Sequence, residues 1–151
     1  MELRYKRKDN ERDLMQLEKR HSAACDRNQA PIGDRLRRVL HPGDLVWEIG
    51  SGTGQHAVYF GERFSDIIWQ PSDRRENHPS IMAWIGEVAL PNMRELLSFD
   101  LFDEVTPVTE ADVVFCANTI HIAPWPATEQ LFRHAARGLK PGGQVVTYGP
   151  Y

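Results

Sequence analysis

The residues best suited to chemistry in this sequence lie in the stretch VWEIGSGTGQHAVYF, residues 46–60. Directly after the acidic Glu48, three glycines alternate with other residues: Gly50, Gly52 and Gly54. Glycine lacks a Cβ, so such a loop can adopt positive φ angles and bring its backbone close to a ligand. The helix that follows presents unpaired N–H groups at its start. The pattern predicts a binding loop for a cofactor that contains a nucleoside.

Glu48 bears on which cofactor this loop would bind. The same glycine spacing fits a dinucleotide-binding loop, in which the N–H groups hold a pyrophosphate. A carboxylate at the tip of the first strand would repel a pyrophosphate, whereas it would attract the ammonium group of S-adenosyl-L-methionine, which carries no phosphate. The residues therefore favour S-adenosyl-L-methionine. The alternative is a structural role, in which Glu48 only hydrogen-bonds amides of the loop.

Polar residues that follow later apolar runs are further candidates for the same site. Asp73 comes 19 residues after Gly54, near the spacing at which an acidic residue binds ribose hydroxyls, although a surface turn would explain it equally well. Asp100 follows LLSF, where it can meet an adenine amino group or cap the next turn. Asn118 and His121 follow VVFCA, at the edge where open α/β sheets bind their ligands. A lone histidine is, however, more often structural than catalytic.

Short apolar runs alternate with helical patterns along the chain and would position these residues. The runs that predict strands are LVWEI, DIIWQ, MRELLSF, VVFCA and QVVTYG. Helices are predicted to about residue 63, near 78–89 and across 127–139, and GDRLRRVL predicts another before the first strand. Strands separated by helices indicate the α/β class, with a Rossmann-like doubly wound, mostly parallel sheet and helices on both faces.

The composition bounds the size of the fold and the class of partner. The chain has 151 residues, 41% of them hydrophobic, and a formal charge of −3, which suits one globular domain. It has no basic block of the kind that nucleic-acid binders carry and no run near the roughly 20 apolar residues that span a bilayer. We expect a small-molecule substrate, no nucleic-acid or membrane partner, no metal site and a cytoplasmic location. Residues 1–25 are predicted to form a charged arm or helix, and residues 26–151 the domain.

Taken together, the motifs resemble a class I S-adenosyl-L-methionine-dependent methyltransferase. More narrowly, they resemble the methyltransferase-like family catalogued as domain of unknown function 938. The resemblance covers the chain from about residue 26 to residue 151, and several separate motifs carry it in order: RNQAPI, EIGSGTGQHA, WQPSD, LPN, SFD, FCANTIHIAPW and LKPGGQVVTYGPY. Such a series of motifs is far more specific than the glycine loop alone.

The resemblance implies roles for individual residues around the cofactor. Glu48 and the glycines would contact its methionine part, Asp73 its ribose and Asp100 its adenine. Arg27 and Asn28 would belong to a lid that folds over the cofactor, although an ordinary helix start or loop would also account for this pair.

The implied function is methyl transfer to an unidentified acceptor, which we expect to be a small molecule. Asn118 and His121 would line the transfer pocket, where Asn118 would also contact the cofactor and His121 is the candidate proton acceptor. The alternative is a non-catalytic cofactor-binding or scaffold module that works through a protein partner. A nicotinamide-dependent oxidoreductase is less favoured, because the sequence has no TyrxxxLys pair and Glu48 opposes a pyrophosphate.

The resemblance also predicts an incomplete sheet. Methyltransferases of this class have seven strands, and the final strands are lacking here. We therefore expect the strand QVVTYG to lie at an unprotected edge of the sheet. Either the chain is truncated, in which case it can be inactive, or a homodimer covers this edge.

Overall fold

The computed structural model describes residues 18–117 and 125–149. The elements in chain order are α1 (Ala23–Val39), β1 (Leu45–Ile49), α2 (Gln55–Arg63), β2 (Ile68–Asp73), a 3₁₀ turn (Arg75–Asn77), α3 (His78–Val88), β3 (Leu97–Ser98), β4 (Ala111–Ala117), α4 (Trp125–Gly138) and β5 (Leu139–Tyr148). All neighbouring strands are parallel, in the order β3-β2-β1-β4-β5. The predicted Rossmann-like α/β class is confirmed, with five strands in the described part of the chain.

The strand order changes direction between β1 and β4. From β1 the chain adds β2 and β3 on one side, then returns to add β4 and β5 on the other. In open α/β sheets this switch point opens a crevice beyond the carboxyl ends of the strands, where ligands bind. The glycine loop follows β1 and therefore lies at that crevice.

The core has two halves, one on each face of the sheet. Side chains alternate between faces along a strand, so Val46 and its neighbour Trp47 belong to different apolar clusters. The cluster around Val46 contains Leu36 from α1 and Phe60 from α2. The cluster around Trp47 contains Leu131 from α4. Helices cover both faces of the sheet, and the loops lie at the ends of its strands.

The first helix begins earlier than the sequence pattern predicts. Helix α1 starts at Ala23, and the hydroxyl of its N-cap Ser22 accepts a hydrogen bond from the amide of Cys25 at 3.3 Å. The helix continues through Pro31, a residue that costs an intrahelical hydrogen bond and so argues against helix in the sequence alone. Lys19, Arg20 and His21 contact α3, so part of the segment predicted as a charged arm or helix packs on the sheet domain. Residues 1–17 of the predicted arm lie outside the described residues.

Strand β2 runs through a Pro-Ser-Asp sequence that is typical of a turn. Trp69 forms its outward backbone bonds with Asn92 and Arg94, on the side away from β1. Pro71 comes two residues later and has the same orientation, so its missing N–H falls on that outer side, where β3 pairs only with Ser72 and Asp73. A proline is tolerated at such an edge position. The third strand is correspondingly short, two residues instead of the predicted MRELLSF.

Strand β5 includes the KPGG segment that the sequence predicts as a turn before it. Ala111 pairs with Leu139 and Val113 with Gln144, so the extra residues of β5 form an irregularity in the ladder. Beyond that irregularity, QVVTY pairs in regular register with β4. Among the described residues β5 pairs on one side only, as predicted. No described helix is both long and apolar enough to cross a membrane.

Candidate functional site

The loop after β1 has the backbone conformation that requires glycine. The φ angles are +78° at Gly50, +61° at Gly52 and +100° at Gly54, in the left-handed region that side chains disfavour. A Cβ on Gly54 would lie 2.9 Å from the Cα of Ile81, because α3 packs directly on the loop. A Cβ on Gly52 would meet no atom within 4 Å. Gly54 therefore serves packing, whereas Gly52 borders open space that a ligand can fill.

The amides of this loop are used within the protein. The N–H groups of Gly50 and Ser51 both donate to the carbonyl of Ser72, each at 3.0 Å. The N–H of Gly52 donates to Asp73 Oδ2 at 2.8 Å, and that of the third glycine bonds back to Ser51 at 2.9 Å. A pyrophosphate is normally held by amides of this kind. Here the loop is fastened to the end of β2 instead.

Asp73 lies beside the loop, where the sequence predicted the ribose-binding acid. It is the last residue of β2 and only 8% exposed, so the surface-turn alternative is wrong. Besides Gly52, its carboxylate accepts hydrogen bonds from the amide of Arg74 at 2.6 Å and from Asn77 Nδ2 at 3.0 Å. The contact of Asp73 with a ribose stays a prediction.

The Glu48 side chain is hydrogen-bonded within the protein. It lies under the loop at the end of β1 and is 2% exposed. Its Oε1 accepts hydrogen bonds from the Ser51 hydroxyl at 2.6 Å and from the Trp69 indole at 3.3 Å. Burial raises the pKa of Glu48 to about 7, opposed by these two hydrogen bonds. The carboxylate thus holds the loop from below, through a hydroxyl and an indole. The contact of Glu48 with the ammonium group of a cofactor stays a prediction.

Helix α1 is fastened to the start of α2, next to the loop. Gln55 donates from Nε2 to Asp26 Oδ1 at 3.2 Å and accepts the amide of Ser22 at 2.6 Å. His56 Nε2 lies 2.8 Å from Asn28 Oδ1, and burial lowers the pKa of His56 to about 4, so the ring is neutral and its N–H donates. These contacts fix the position of α1 over the loop.

The two predicted lid residues, Arg27 and Asn28, lie on α1 and differ in their exposure to solvent. Asn28 is 7% exposed, and its side-chain oxygen is bound by His56. Arg27, its neighbour, is exposed. The structure shows a helix-to-helix contact for Asn28, and a contact of either residue with a cofactor stays a prediction.

The remaining predicted site residues are less well defined. Asp100 accepts the amide of Phe102 at 2.9 Å, so it caps the turn after β3, as the alternative interpretation had it. Its contact with adenine stays a prediction. Asn118 and His121 lie outside the described residues, immediately after β4. No group of His, Cys, Asp or Glu side chains within residues 18–117 and 125–149 can hold a metal ion.

Sequence reasoning missed the polar residues that organise the loop from outside. Asn77 follows Asp73 by four residues, a spacing that signals little by itself. Gln55 lies within the glycine motif, but the sequence gives no sign of its contacts with α1. Arg20, whose Nη2 donates to Asn77 Oδ1 at 2.8 Å, belongs to the segment predicted as a charged arm or helix. These contacts join distant parts of the chain, so no local pattern reveals them.

Comparison with solved structures places this geometry among methyltransferase folds. The chain is similar to the S-adenosylmethionine-dependent methyltransferase SibL, with a TM-score of 0.71, 21% identity, and coverage of 83% of this chain and 36% of that one. An O-methyltransferase family protein from Burkholderia thailandensis matches with a TM-score of 0.69 at 22% identity, over 82% of this chain and 38% of the other. Precorrin-6y C5,15-methyltransferase from Geobacter metallireducens matches with a TM-score of 0.63 at 18% identity, over 79% and 60%.

The chain thus spans from about a third to three fifths of the length of these proteins. At this level of identity the likeness shows the fold. A family model described as "Protein of unknown function (DUF938)" matches residues 19–151, which is nearly the whole sequence and includes residues 19–22 beside α3. The chain is therefore a member of the DUF938 family, with the fold of the class I methyltransferases.

Proposed function

We propose that this protein is an S-adenosyl-L-methionine-dependent methyltransferase that acts on a small-molecule acceptor. The fold, which is similar to those of methyltransferases, supports methyl transfer in general. The choice of cofactor draws its support from the hydrogen bonds of the loop itself.

The observation that carries the choice is where the amides of the glycine loop point. Gly50, Ser51 and Gly52 donate to acceptors at the end of β2, at 2.8 to 3.0 Å. A dinucleotide-binding loop would need such donors for its pyrophosphate. The arrangement suits a nucleoside without phosphates.

The described residues fit such a nucleoside. The open space at Gly52 leaves room for the ligand beside the loop. Asp73 lies next to that space and keeps acceptor capacity for a ribose hydroxyl, since a carboxylate offers about four acceptor positions and three are in use. The cofactor, when bound, supplies a methyl group on a positively charged sulfur.

The chemistry asks mainly for alignment of the acceptor with that methyl group. Alignment alone can supply a large part of a rate enhancement, so no covalent intermediate is required. Asn118 and His121 follow β4 in the sequence and are proposed to line the acceptor's side of the pocket. His121 would take a proton from an acceptor of high pKa. Partners are proposed to be small molecules and a second copy of the chain, with no nucleic acid or membrane.

Titration calorimetry on the whole chain tests this proposal. We expect S-adenosylhomocysteine to bind and reduced nicotinamide dinucleotide not to bind. Asp73→Asn should weaken S-adenosylhomocysteine about tenfold or more, since it removes a charged acceptor, whereas Glu62→Gln, an exposed carboxylate on α2, should leave the affinity unchanged.

The outcomes separate the competing functions. Absence of S-adenosylhomocysteine binding at millimolar concentration, by protein that is folded by circular dichroism, contradicts the proposal. Binding of the nicotinamide cofactor in its place would favour an oxidoreductase. Binding of S-adenosylhomocysteine without methyl transfer to any member of a broad acceptor panel would favour the non-catalytic module.

A further inference from the structure

The surroundings of Asp73 limit how it can bind a ribose. Its Oδ1 accepts two hydrogen bonds, from the amide of Arg74 at 2.6 Å and from Asn77 Nδ2 at 3.0 Å. Its Oδ2 accepts one, from the amide of Gly52 at 2.8 Å. Each carboxylate oxygen has about two acceptor positions. Oδ1 is therefore filled, and one position is left on Oδ2.

The orientation of Asn77 follows from its two neighbours. Arg20 Nη2 donates to Asn77 Oδ1 at 2.8 Å. A guanidinium only donates and a carboxylate only accepts, so the amide must turn its oxygen to Arg20 and its nitrogen to Asp73. Arg20 is itself anchored on α3, where its amide donates to Ser80 Oγ at 2.9 Å and its carbonyl accepts from Trp84 Nε1 at 2.7 Å. Asn77 thus lies between the guanidinium of Arg20, a residue whose backbone is anchored on α3, and the carboxylate of Asp73.

We propose that Asn77 is a positioning residue that makes Asp73 bind one ribose hydroxyl rather than two. The inference rests on the proposed function, because it concerns how the nucleoside of that cofactor is recognised. Asn77 occupies the second position of Oδ1, so the ligand meets only Oδ2. That oxygen is bound to the amide of Gly52, the loop position that borders open space. The other hydroxyl is left without a bond to Asp73.

The test compares S-adenosylhomocysteine with its 2′-deoxy and 3′-deoxy analogues in competition binding to the whole chain. In the wild-type protein one analogue should bind about tenfold more weakly than the parent compound, since it loses a hydrogen bond to a charged acceptor. The other analogue should bind as the parent does. The ratio of the dissociation constants of the two analogues reports which ribose hydroxyls the Asp73 carboxylate binds.

Two variants change that ratio if the proposal holds. Asn77→Ala opens the second position of Oδ1, so the previously tolerated analogue should become at least about threefold weaker than the parent. Arg20→Ala lets the Asn77 amide turn away and should move the ratio in the same direction by a smaller factor. Glu76→Gln, on the same exposed turn, is the matched control and should keep the wild-type ratio.

Comparable losses for both analogues in the wild-type protein would overturn the inference. So would wild-type ratios in folded Asn77→Ala, because a merely structural role would weaken all three ligands equally. If Asn77→Ala does not fold, Arg20→Ala provides the same ratio and decides. Absence of binding by the wild-type protein to S-adenosylhomocysteine would instead contradict the proposed function.

Discussion

Replacing the buried Glu48 with glutamine should stabilise the protein at neutral and alkaline pH. The carboxylate accepts hydrogen bonds from Ser51 and Trp69, and a glutamine oxygen can accept the same bonds without a charge. Burial raises the pKa of Glu48 from 4.5 to about 7. The native state therefore holds this proton more tightly than the unfolded chain does.

The sign and size of the effect follow from proton linkage. Because the folded pKa lies above the unfolded value, Glu48 costs no stability below about pH 4.5, and its cost grows until about pH 7 and is constant above. The difference of about 2.5 between 7 and 4.5 corresponds to about 3 kcal/mol. Glu48→Gln should thus match the wild-type protein near pH 4.5 and exceed its free energy of unfolding by up to about 3 kcal/mol at pH 8.

His56 titrates in the opposite sense over nearly the same range. Burial lowers its pKa from 6.5 to about 4, so its contribution is complete above pH 6.5 and is lost as the pH falls toward 4. In the wild-type protein the two contributions largely offset each other. Glu48→Gln removes one of them, so the stability of the variant should rise by about 3 kcal/mol between pH 4 and pH 6.5.

Urea unfolding followed by tryptophan fluorescence, at several pH values from 4.5 to 8, measures these differences. Glu62→Gln on α2 is the matched control, since its carboxylate is exposed and its difference from the wild-type protein should not vary with pH. If the gap between Glu48→Gln and the wild-type protein is the same at pH 4.5 and pH 8, Glu48 does not carry a raised pKa. The view of a buried carboxylate under the loop would then be wrong.

Three further predictions concern the loop, the proposed proton acceptor and the sheet edge. Gly54→Ala should lower the free energy of unfolding, measured in urea, by about 2–5 kcal/mol, because the alanine would keep a positive φ angle and overpack against α3. Gly52→Ala should lower it by only about 1–2 kcal/mol but should weaken the binding of S-adenosylhomocysteine in calorimetry. Equal losses of stability in the two variants would contradict this contrast. His121→Ala should retain cofactor binding and slow methyl transfer to a high-pKa acceptor about 100-fold or more, and an unchanged turnover would exclude the proton-acceptor role. A second copy is proposed to pair with the open side of β5, so light scattering should give a dimer, and a soluble, fully folded monomer would speak against it.

Local signals in the sequence predicted the parts of the site that depend on local geometry. The positive φ angles follow from the spacing of Gly50, Gly52 and Gly54, because few other residues adopt that conformation. Apolar runs such as VVFCA predicted the strands, since a strand buried on both faces needs them. Asp73 was placed correctly because the distance from the glycine loop to the end of the next parallel strand is set by one helical crossover.

Contacts between distant segments account for what the sequence did not reveal. Pro31 argues locally against a helix, yet tertiary packing allows α1 to continue through it. Pro71 argues locally against a strand, yet its missing N–H falls on the outer side of β2, where it interrupts no pairing with β1. The direction of the Glu48 side chain depends on Trp69, a residue of the neighbouring strand. Whether an acidic residue meets a ligand or lies beneath a loop is decided by such neighbours and not by its place in a motif.

The choice between cofactors likewise depends on contacts between distant segments as well as on the local motif. Three alternating glycines produce a loop that fits either a dinucleotide or S-adenosyl-L-methionine, so the spacing alone does not discriminate. The discriminating feature is the set of acceptors that the loop amides meet, and here these are the carbonyl of Ser72 and the carboxylate of Asp73. Because both belong to β2, we propose that the end of the second strand contributes to the selection of the ligand as much as the glycines do. We expect a loop of the same sequence without those acceptors to leave its amides available to phosphate.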